Sequence, residues 1–322
     1  MGGGPEIKRH NSAGNKVMRL TTAAVVFWFC WLFLTASIQA QLIINPTYDT
    51  SLTSLSNFAA IKTTIDAAAA EYATHFSNHL TIGIKFQNMA TGVGMSNTLT
   101  QTVDYFSYRS ALGDHATTAD DFSVLSSLPL QGSSPVNGSD FVTLTIPNAK
   151  VLGLFDGFSA IDSTISLHMS VMNITRPPGN PTLYDLKAVV QHEIDEALGT
   201  LSGVGGSLPF SADHSRFGGP GVFSFSTSSS ASAYFSVDGG VTRLVDYNQS
   251  GIGDYGDWAL GPFARVQDFQ ATPGATPNLG VELRLLDVIG FSFVSVPEPG
   301  SLTLVFAGIL IFVAVSSRRV FI

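Results

Sequence analysis

The chain has very little cysteine and few charged side chains. Its 322 residues contain a single cysteine, Cys30, which lies inside an apolar run near the N-terminus. Without that run the protein has no thiol, which excludes disulfides, cysteine-ligated zinc and a cysteine nucleophile. Only 12% of the residues are charged, whereas 45% are hydrophobic. This composition is typical of a globular protein with a polar, uncharged surface.

Basic residues are scarce in the central part of the chain. Residues 41–295 contain 10 Lys and Arg against 22 Asp and Glu, a net charge of 10 − 22 = −12. Such a body repels phosphate backbones, so the sequence predicts no nucleic-acid partner. The chain also lacks the G-x-S-x-G pattern, which argues against the common serine hydrolase site.

The N-terminus has the order of a secretory signal. Basic residues precede the apolar run "LTTAAVVFWFCWLFLTA", and "SIQAQ" follows it. The sequence therefore predicts a signal peptide over residues 1–40 with cleavage after Ala40, and Met18 is an alternative start. An uncleaved membrane anchor is the other interpretation.

At the C-terminus residues 296–299 read "VPEP", an apolar run extends over residues 302–315, and Arg318 and Arg319 follow. This arrangement resembles the PEP-CTERM sorting signal of Gram-negative bacteria. The resemblance implies export, processing by an exosortase, and delivery to the cell envelope, outer surface or extracellular matrix. It also implies a membrane-spanning helix within residues 295–322 before processing. A plain C-terminal anchor is the alternative, and a basic pair after an apolar run suits that as well.

The residues between these segments predict an α+β domain over residues 41–294. Helical spacing of apolar residues predicts a helix over residues 52–76, and alternating apolar residues predict strands over 80–86, 141–146 and 165–171. The segment "RPPGNP" (176–181) predicts a loop. Beyond Gly199 the chain is rich in Gly and Ser and mostly irregular, ending in a short helix over residues 280–291. One domain is favoured over two.

The segment "YDLKAVVQHEIDEALG" (184–199) is the most informative stretch of the chain. It predicts a helix with a capping box at Thr182 and Asp185 and a stop at Gly199. Residues four apart lie on one face of a helix, so His192 and Glu196 could bind one ion. Glu193 lies one step round the helix, where it could act on a water as a general base.

An ordinary charged helix face is the alternative interpretation of this segment. The chain has only six glutamates, and two of them are Glu193 and Glu196. Both lie in the second half of the helix, where the helix dipole disfavours acidic groups. A bound cation would offset that cost, which favours a metal site.

The residues 41–294 resemble the zincin metalloproteases, with Glu196 at the position where the common H-E-x-x-H motif has histidine. The segments "YFSYRSALGDHATTADDFSVLSSLP", "AYFSVDGG", "GDYGDW" and "LLDVIGF" further resemble a group of exported, PEP-CTERM-tailed metalloproteases. The resemblance implies a zincin- or metzincin-like single domain with a mixed sheet over the helix 184–199. It also implies Zn²⁺ held by His192 and Glu196, Glu193 as the base, and a peptide or protein substrate.

The third metal ligand is open at this point. Metzincins have a histidine at the position of Ser202 and a Met-turn, but no methionine follows Met172. His214 is the first candidate and Asp213 the second, because imidazole and carboxylate both bind Zn²⁺. Asp254 and Asp257 in "GDYGDW" are weaker candidates. With Asp238 they also offer oxygen ligands for Ca²⁺, although their spacing matches no calcium loop and solvated turns are favoured.

Three functions therefore remain from the sequence. The first is an exported, zinc-dependent peptidase. The second is a non-catalytic binding protein of the envelope or matrix on a zincin-like scaffold. The carboxylate at position 196 and the missing third histidine favour the second. A purely structural envelope protein, which would bind neither metal nor ligand, is a third option.

Overall fold

The computed structural model describes residues 1–2, 42–157 and 159–294. By its contacts the chain divides into two units, Met1–Ala40 and Gln41–Ile322, and the elements below all belong to the second. The predicted signal peptide and sorting signal lie outside the described residues, apart from residues 1–2. Among the helices that are described, none has the length and apolar character needed to cross a membrane.

The described residues form short strands and helices, and both are numbered here in chain order. The strands are β1 Ile43–Tyr48, β2 Thr81–Asn88, β3 Gly94–Thr98, β4 Thr100–Asp104, β5 Phe141–Thr145, β6 Ser163–Leu167, β7 Met172–Asn173, β8 Tyr184–Asp185, β9 Arg216–Gly219, β10 Val222–Phe223, β11 Tyr234–Phe235 and β12 Val245–Asp246. The helices are α1 Thr50–Thr53, α2 Phe58–His75, α3 Tyr105–His115, α4 Ala119–Ser127, α5 Ile146–Val151, α6 Leu186–Asp195 and α7 Val281–Val288. The α+β prediction is thus confirmed.

The main sheet is mixed and has the strand order β1-β2-β6-β3. Strands β1, β2 and β6 are parallel, whereas β3 is antiparallel to β6 and lies at the edge. The central strand β2 is apolar and buried through Ile82, Ile84 and Phe86, as expected where both faces of a sheet are covered. Strand β3 alternates between half-buried and exposed residues, which suits an edge.

Helix α6 packs against helix α2 and against strands β3 and β6 of this sheet. Its apolar side, with Leu186, Val190 and Ile194, is fully buried. The hydroxyl of Tyr72 on α2 donates to Oδ1 of Asp195 at 2.7 Å. The pattern of apolar residues therefore aims one side of α6 into the core, and the opposite side carries the polar groups described below.

The predicted start of this helix was wrong. The hydroxyl of Thr182 donates to Oδ1 of Asn180 at 2.8 Å and so caps no helix. Residues Tyr184 and Asp185 instead pair in parallel with strand β7, and the helix begins after them. Asp185 is the N-cap, because its carboxylate accepts from the backbone N–H of Ala188. A single turn of π-helix, Glu196–Thr200, extends α6, and Gly199 ends it with a positive φ of 135°.

The other predicted elements occur with shifted ends. The helix expected over residues 52–76 is split into α1 and α2, and the last helix is confined to Val281–Val288. The strand expected over 165–171 ends at Leu167, and a 3₁₀ turn follows at Met169–Val171. The C-terminal half contains a second sheet of short antiparallel strands in the order β10-β9-β11-β12.

Candidate metal centre

His192 presents one ring nitrogen to a cluster of carboxylates. Its Nδ1 lies 2.9 Å from the backbone carbonyl oxygen of Val266, so the ring donates from Nδ1, and Nε2 is the nitrogen at which a metal ion could replace a proton. That Nε2 lies 3.5 Å from Oε1 of Glu196 and 3.7 Å from Oδ1 of Asp257. The ring is thereby fixed in the orientation and tautomer that a metal ligand needs.

Glu196 lies one helical turn beyond His192 and is held by the edge strand. The hydroxyl of Ser96 in β3 donates to Oε2 of Glu196 at 2.6 Å. Oxygen Oε1, the atom close to His192, is thus the one left to face the cluster. This confirms the spacing argument that placed His192 and Glu196 on one helix face.

Asp257 completes the group, which we call the metal-ligand cluster: His192, Glu196 and Asp257. One ligand atom from each lies within 4.8 Å of the other two. Asp257 comes from the "GDYGDW" loop, and its Oδ1 accepts from Nε2 of Gln267 at 2.9 Å. Its backbone carbonyl accepts from the N–H of Asn248 at 2.8 Å.

His214 and Asp213, the favoured third ligands, do not belong to this cluster. The ring of His214 is buried beside Tyr105 and Tyr108, with Nε2 3.0 Å from the Ser134 hydroxyl. Both oxygens of Asp213 accept hydrogen bonds, from the hydroxyl of Ser202 and from backbone N–H groups. Asp213 thus links residues 202–203 to residue 210 in the turn that follows α6, whereas His214 packs among buried residues of other segments.

The residues that hold the ligands carried no sequence signal. Ser96, Val266 and Gln267 lie far from the helix in sequence and match no motif. The weaker candidate Asp257 was visible only as an acid in a glycine-rich loop. The calcium alternative finds no support at Asp238, since its carboxylate accepts from Ser236 and Thr242 within its own turn.

The donor set fits a divalent ion. Two atoms that bind one zinc ion at about 2.0–2.2 Å lie roughly 3.3–3.6 Å apart when the geometry is tetrahedral. The separations of 3.5 and 3.7 Å at His192 Nε2 are close to that range. The imidazole favours a transition metal such as Zn²⁺ over Ca²⁺, which prefers oxygen ligands alone.

Glu193 lies beside the metal-ligand cluster and is only 5% exposed. Its Oε2 is buried and has no hydrogen-bond partner among the described residues. Burial, followed by the charge of Glu196, raises the pKa of Glu193 well above its usual value. A carboxylate with a raised pKa and a free oxygen is suited to take and release a proton near neutral pH.

Neighbouring charges shift the pKa values of the ligands themselves. Burial would lower the pKa of His192, but Asp257, Glu196 and Glu193 outweigh it and raise that pKa well above 6.5. Burial raises the pKa of Asp257 to about 7, against the charge of His192. The free site is therefore expected to hold protons that a metal ion would displace.

A cavity of about 450 Å³ opens next to the metal-ligand cluster, and His192 and Glu193 form part of its wall. The rest of the wall comes from β8, from Ala188 and Val189 of α6, from Val93 and Gly94, and from residues between 265 and 277. Gly94 approaches Glu193 so closely that a Cβ there would lie 2.2 Å from Oε1. Strand β3, helix α6 and the segment between residues 265 and 277 thus border one cavity, and Glu193 lies in its wall.

Comparison with known proteins identified no family. No protein-family model matches the chain, and neither curated proteins nor solved structures gave a significant match.

Proposed function

We propose that this chain is an exported, zinc-dependent peptidase that hydrolyses peptide bonds with Glu193 as the general base. The observation that carries the proposal is the convergence of His192, Glu196 and Asp257, with an unpartnered, buried Glu193 beside them. A cavity large enough for part of a peptide adjoins these residues.

In this mechanism His192, Glu196 and Asp257 would hold the ion. When bound there, Zn²⁺ would supply Lewis-acid chemistry, polarising a carbonyl and acidifying water. Glu193 accepts the proton of the attacking water on its carboxylate and delivers it to the nitrogen of the leaving amine. Ser96, Val266 and Gln267 orient the ligands, so that little rearrangement is needed during the reaction.

The arrangement of the helix under the sheet supports a zincin-like fold. Helix α6 packs against a mixed sheet, and the edge strand β3, antiparallel to its neighbour, contacts it near Glu193 and Glu196. The proposed export route, with exosortase processing and delivery to the envelope or matrix, depends on the sequence of the two ends.

The second candidate is a metal-binding protein without turnover. Two carboxylates and one imidazole carry a charge of about −2, which would neutralise a divalent ion and weaken it as a Lewis acid. That ligand set is the observation favouring this candidate. Peptide hydrolysis by the metal-loaded chain separates the two functions.

Metal analysis and peptidase assays on matched variants test the proposal. We expect about one zinc per chain in the purified protein and in Glu193→Gln, with hydrolysis reduced at least about 100-fold in that variant. His192→Ala and Asp257→Asn should lose metal, whereas His214→Gln, the matched control, should keep it. Unchanged hydrolysis in Glu193→Gln would refute the base, and metal loss confined to His214→Gln would refute the ligand set.

A further inference from the structure

One wall of the cavity is a segment that has few contacts with the core. We call residues 270–278 the wall segment, and it contributes Gln270, Ala271, Thr272, Ala275 and Pro277 to the lining. Every residue of the wall segment is described, and together they form neither helix nor strand. Each of them is exposed or half-buried, so no side chain of the segment is enclosed in the core. Such a segment should open more readily than the elements around it, because few buried contacts oppose its movement.

The wall segment is held mainly by hydrogen bonds, and three of them join it to the rest of the described chain. The backbone N–H of Gly274 donates to the carbonyl oxygen of Leu183 at 2.8 Å. The other two come from one side chain. Nη1 of Arg176 donates to Oδ1 of Asn278 at 2.6 Å, and Nη2 donates to the carbonyl oxygen of Pro277 at 2.7 Å. Both are short and have a charged donor, so they are stronger than the bond between backbone groups.

Arg176 is itself fixed to the start of helix α6. Its Nε and Nη2 donate to the two carboxylate oxygens of Asp185 at 2.8 and 3.0 Å. Asp185 is the N-cap of α6, and its Oδ1 also accepts from the backbone N–H of Ala188. One guanidinium therefore joins the wall segment to the helix that carries His192 and Glu193.

The geometry of these contacts requires a guanidinium. Three nitrogens of Arg176 donate in fixed directions to Asp185, Pro277 and Asn278. A lysine could keep the charge pair with Asp185, but its single nitrogen could not reach all three partners. The side chain of Arg176 is 25% exposed, so its contacts are partly shielded from water and should be stronger than those of a fully exposed pair.

We propose that Arg176 is a positioning residue of the peptidase site, which holds the wall segment against the start of α6 and thereby fixes a wall on which the substrate is bound. The effect on the substrate rests on the proposed function. Arg176 does not line the described cavity, so it acts through the wall segment. Its loss weakens substrate binding and leaves the bond-breaking step and the metal content unchanged. If Arg176 only stabilised the start of α6, its loss would lower the stability and leave substrate binding as it was.

Hydrogen exchange of the wall segment tests this hold directly. Exchange is followed by mass spectrometry in peptides that cover residues 270–278. Arg176→Lys should exchange these amides at least about 10-fold faster than the parent, because hydrogen bonds from a charged donor are lost. Asn278→Ala loses only one of them and should give a smaller increase, at least about 3-fold. In the matched control Arg284→Lys the arginine pairs with Asp120 and stands outside the cavity wall, so exchange should equal that of the parent.

Steady-state kinetics separate positioning from a purely structural role. The substrate is the fluorogenic peptide that the parent cleaves fastest in a set of mixed sequence. Arg176→Lys should raise KM at least about 10-fold and Asn278→Ala at least about 3-fold, with kcat within about 2-fold of the parent, because ground state and transition state lose the same binding. Chemical denaturation identifies a variant that fails to fold. Asn278 is exposed, so Asn278→Ala then decides alone.

The two measurements distinguish failure of this inference from failure of the proposed function. Parental exchange in both folded variants would overturn the hold, whether or not the parent hydrolyses peptides. Faster exchange with an unchanged KM, or with a fall in kcat alone, would show that Arg176 does not position the substrate and would overturn the inference. Faster exchange in variants of a parent that hydrolyses no peptide would support the hold and overturn the peptidase.

Discussion

At the scale of single residues, the metal-ligand cluster combines two side chains from one helix with Asp257 from a distant loop. His192, Glu193 and Glu196 are neighbours along one helix, so their relative positions follow from helix geometry alone. Asp257 lies close to them in space although it follows Glu196 by 61 positions in the sequence (257 − 196). His214 ranked first among the candidates because it is the only histidine after the helix and imidazole binds Zn²⁺, but ligand chemistry carries no information about which loop lies near the helix.

Acidification should destabilise the fold through His214. Burial lowers the pKa of His214 from 6.5 to about 4, so between these values the unfolded chain binds a proton that the folded chain does not. The free energy of unfolding therefore falls as the pH falls through this window, by up to about 3 kcal/mol from this residue. Urea denaturation between pH 7 and pH 4 measures the change.

The same measurements on two variants isolate the contribution of His214. His214→Gln should lose this part of the pH dependence, whereas His79→Gln, at an exposed histidine, should keep it. If the free energy of unfolding depended on pH equally in the parent and in His214→Gln, the contribution assigned to His214 would be wrong.

Gly94 should be essential for the position of Glu193. A Cβ at residue 94 would lie 2.2 Å from Oε1 of Glu193 and 2.8 Å from Cγ1 of Val189, so one of the two side chains must move. Gly94→Ala should lower the free energy of unfolding by about 1–3 kcal/mol and reduce hydrolysis. Gly219→Ala is the matched control, because no atom lies within 4 Å of a Cβ there. Equal stability and activity in the two variants would show that Glu193 has room to move.

At the scale of elements, periodicity predicted which segments form and local hydrogen bonds decided where they begin. The apolar spacing of α2, β2 and α6 reflects the face that each buries, so their existence was predictable. The start of α6 was not, because Tyr184 and Asp185 pair with β7, a contact between segments that no local pattern encodes. The split between α1 and α2 likewise has no signal in the apolar spacing.

The start of α6 should depend on Asp185 in two separable ways. Its carboxylate caps the helix through the N–H of Ala188 and forms a double hydrogen bond with Arg176. Asp185→Asn keeps a capping oxygen but loses the charge pair, and Asp185→Ala loses both. We expect Asp185→Ala to be the less stable of the two by about 1 kcal/mol, the usual value of an N-cap.

Chemical denaturation measures this difference. The free energy of unfolding of both variants should be lower than that of the parent by at most about 3–5 kcal/mol, because Asp185 is 4% exposed and Arg176 would lose its carboxylate partner and keep only Asn278 and Pro277. Equal stability of Asp185→Asn and Asp185→Ala would mean that the capping hydrogen bond contributes nothing.

At the scale of the whole molecule, the distribution of charge favours an ion in the metal-ligand cluster. Glu193, Glu196 and Asp257 surround one imidazole, and Asp254 lies nearby, where burial and then the charge of Glu196 raise its pKa. Close carboxylates repel each other in the folded chain and separate on unfolding. A divalent cation removes that repulsion and binds only the folded form.

Metal removal should therefore lower the thermal stability of the protein. At a free metal concentration 100 times the dissociation constant, binding stabilises the fold by about 2.7 kcal/mol. For a domain of this size we expect the melting temperature to fall by roughly 5–10 °C when a chelator is added. Differential scanning calorimetry of the parent and of His192→Ala measures the shift, which should be absent in the variant. A chelator effect of the same size in both proteins would mean that the stabilising ion binds elsewhere.

The pattern of residues along the chain was enough to predict the class of fold, the buried side of α6, and the position of His192, Glu193 and Glu196 on one helix surface. These features depend on interactions between residues a few positions apart, and helical periodicity carries that information. The folded chain was needed to show that Asp257 completes the cluster, that Ser96 and Gln267 orient its carboxylates, and that a cavity adjoins Glu193. These features depend on which distant segments pack together. That choice depends on the packing of the whole core, and no short stretch of sequence specifies it.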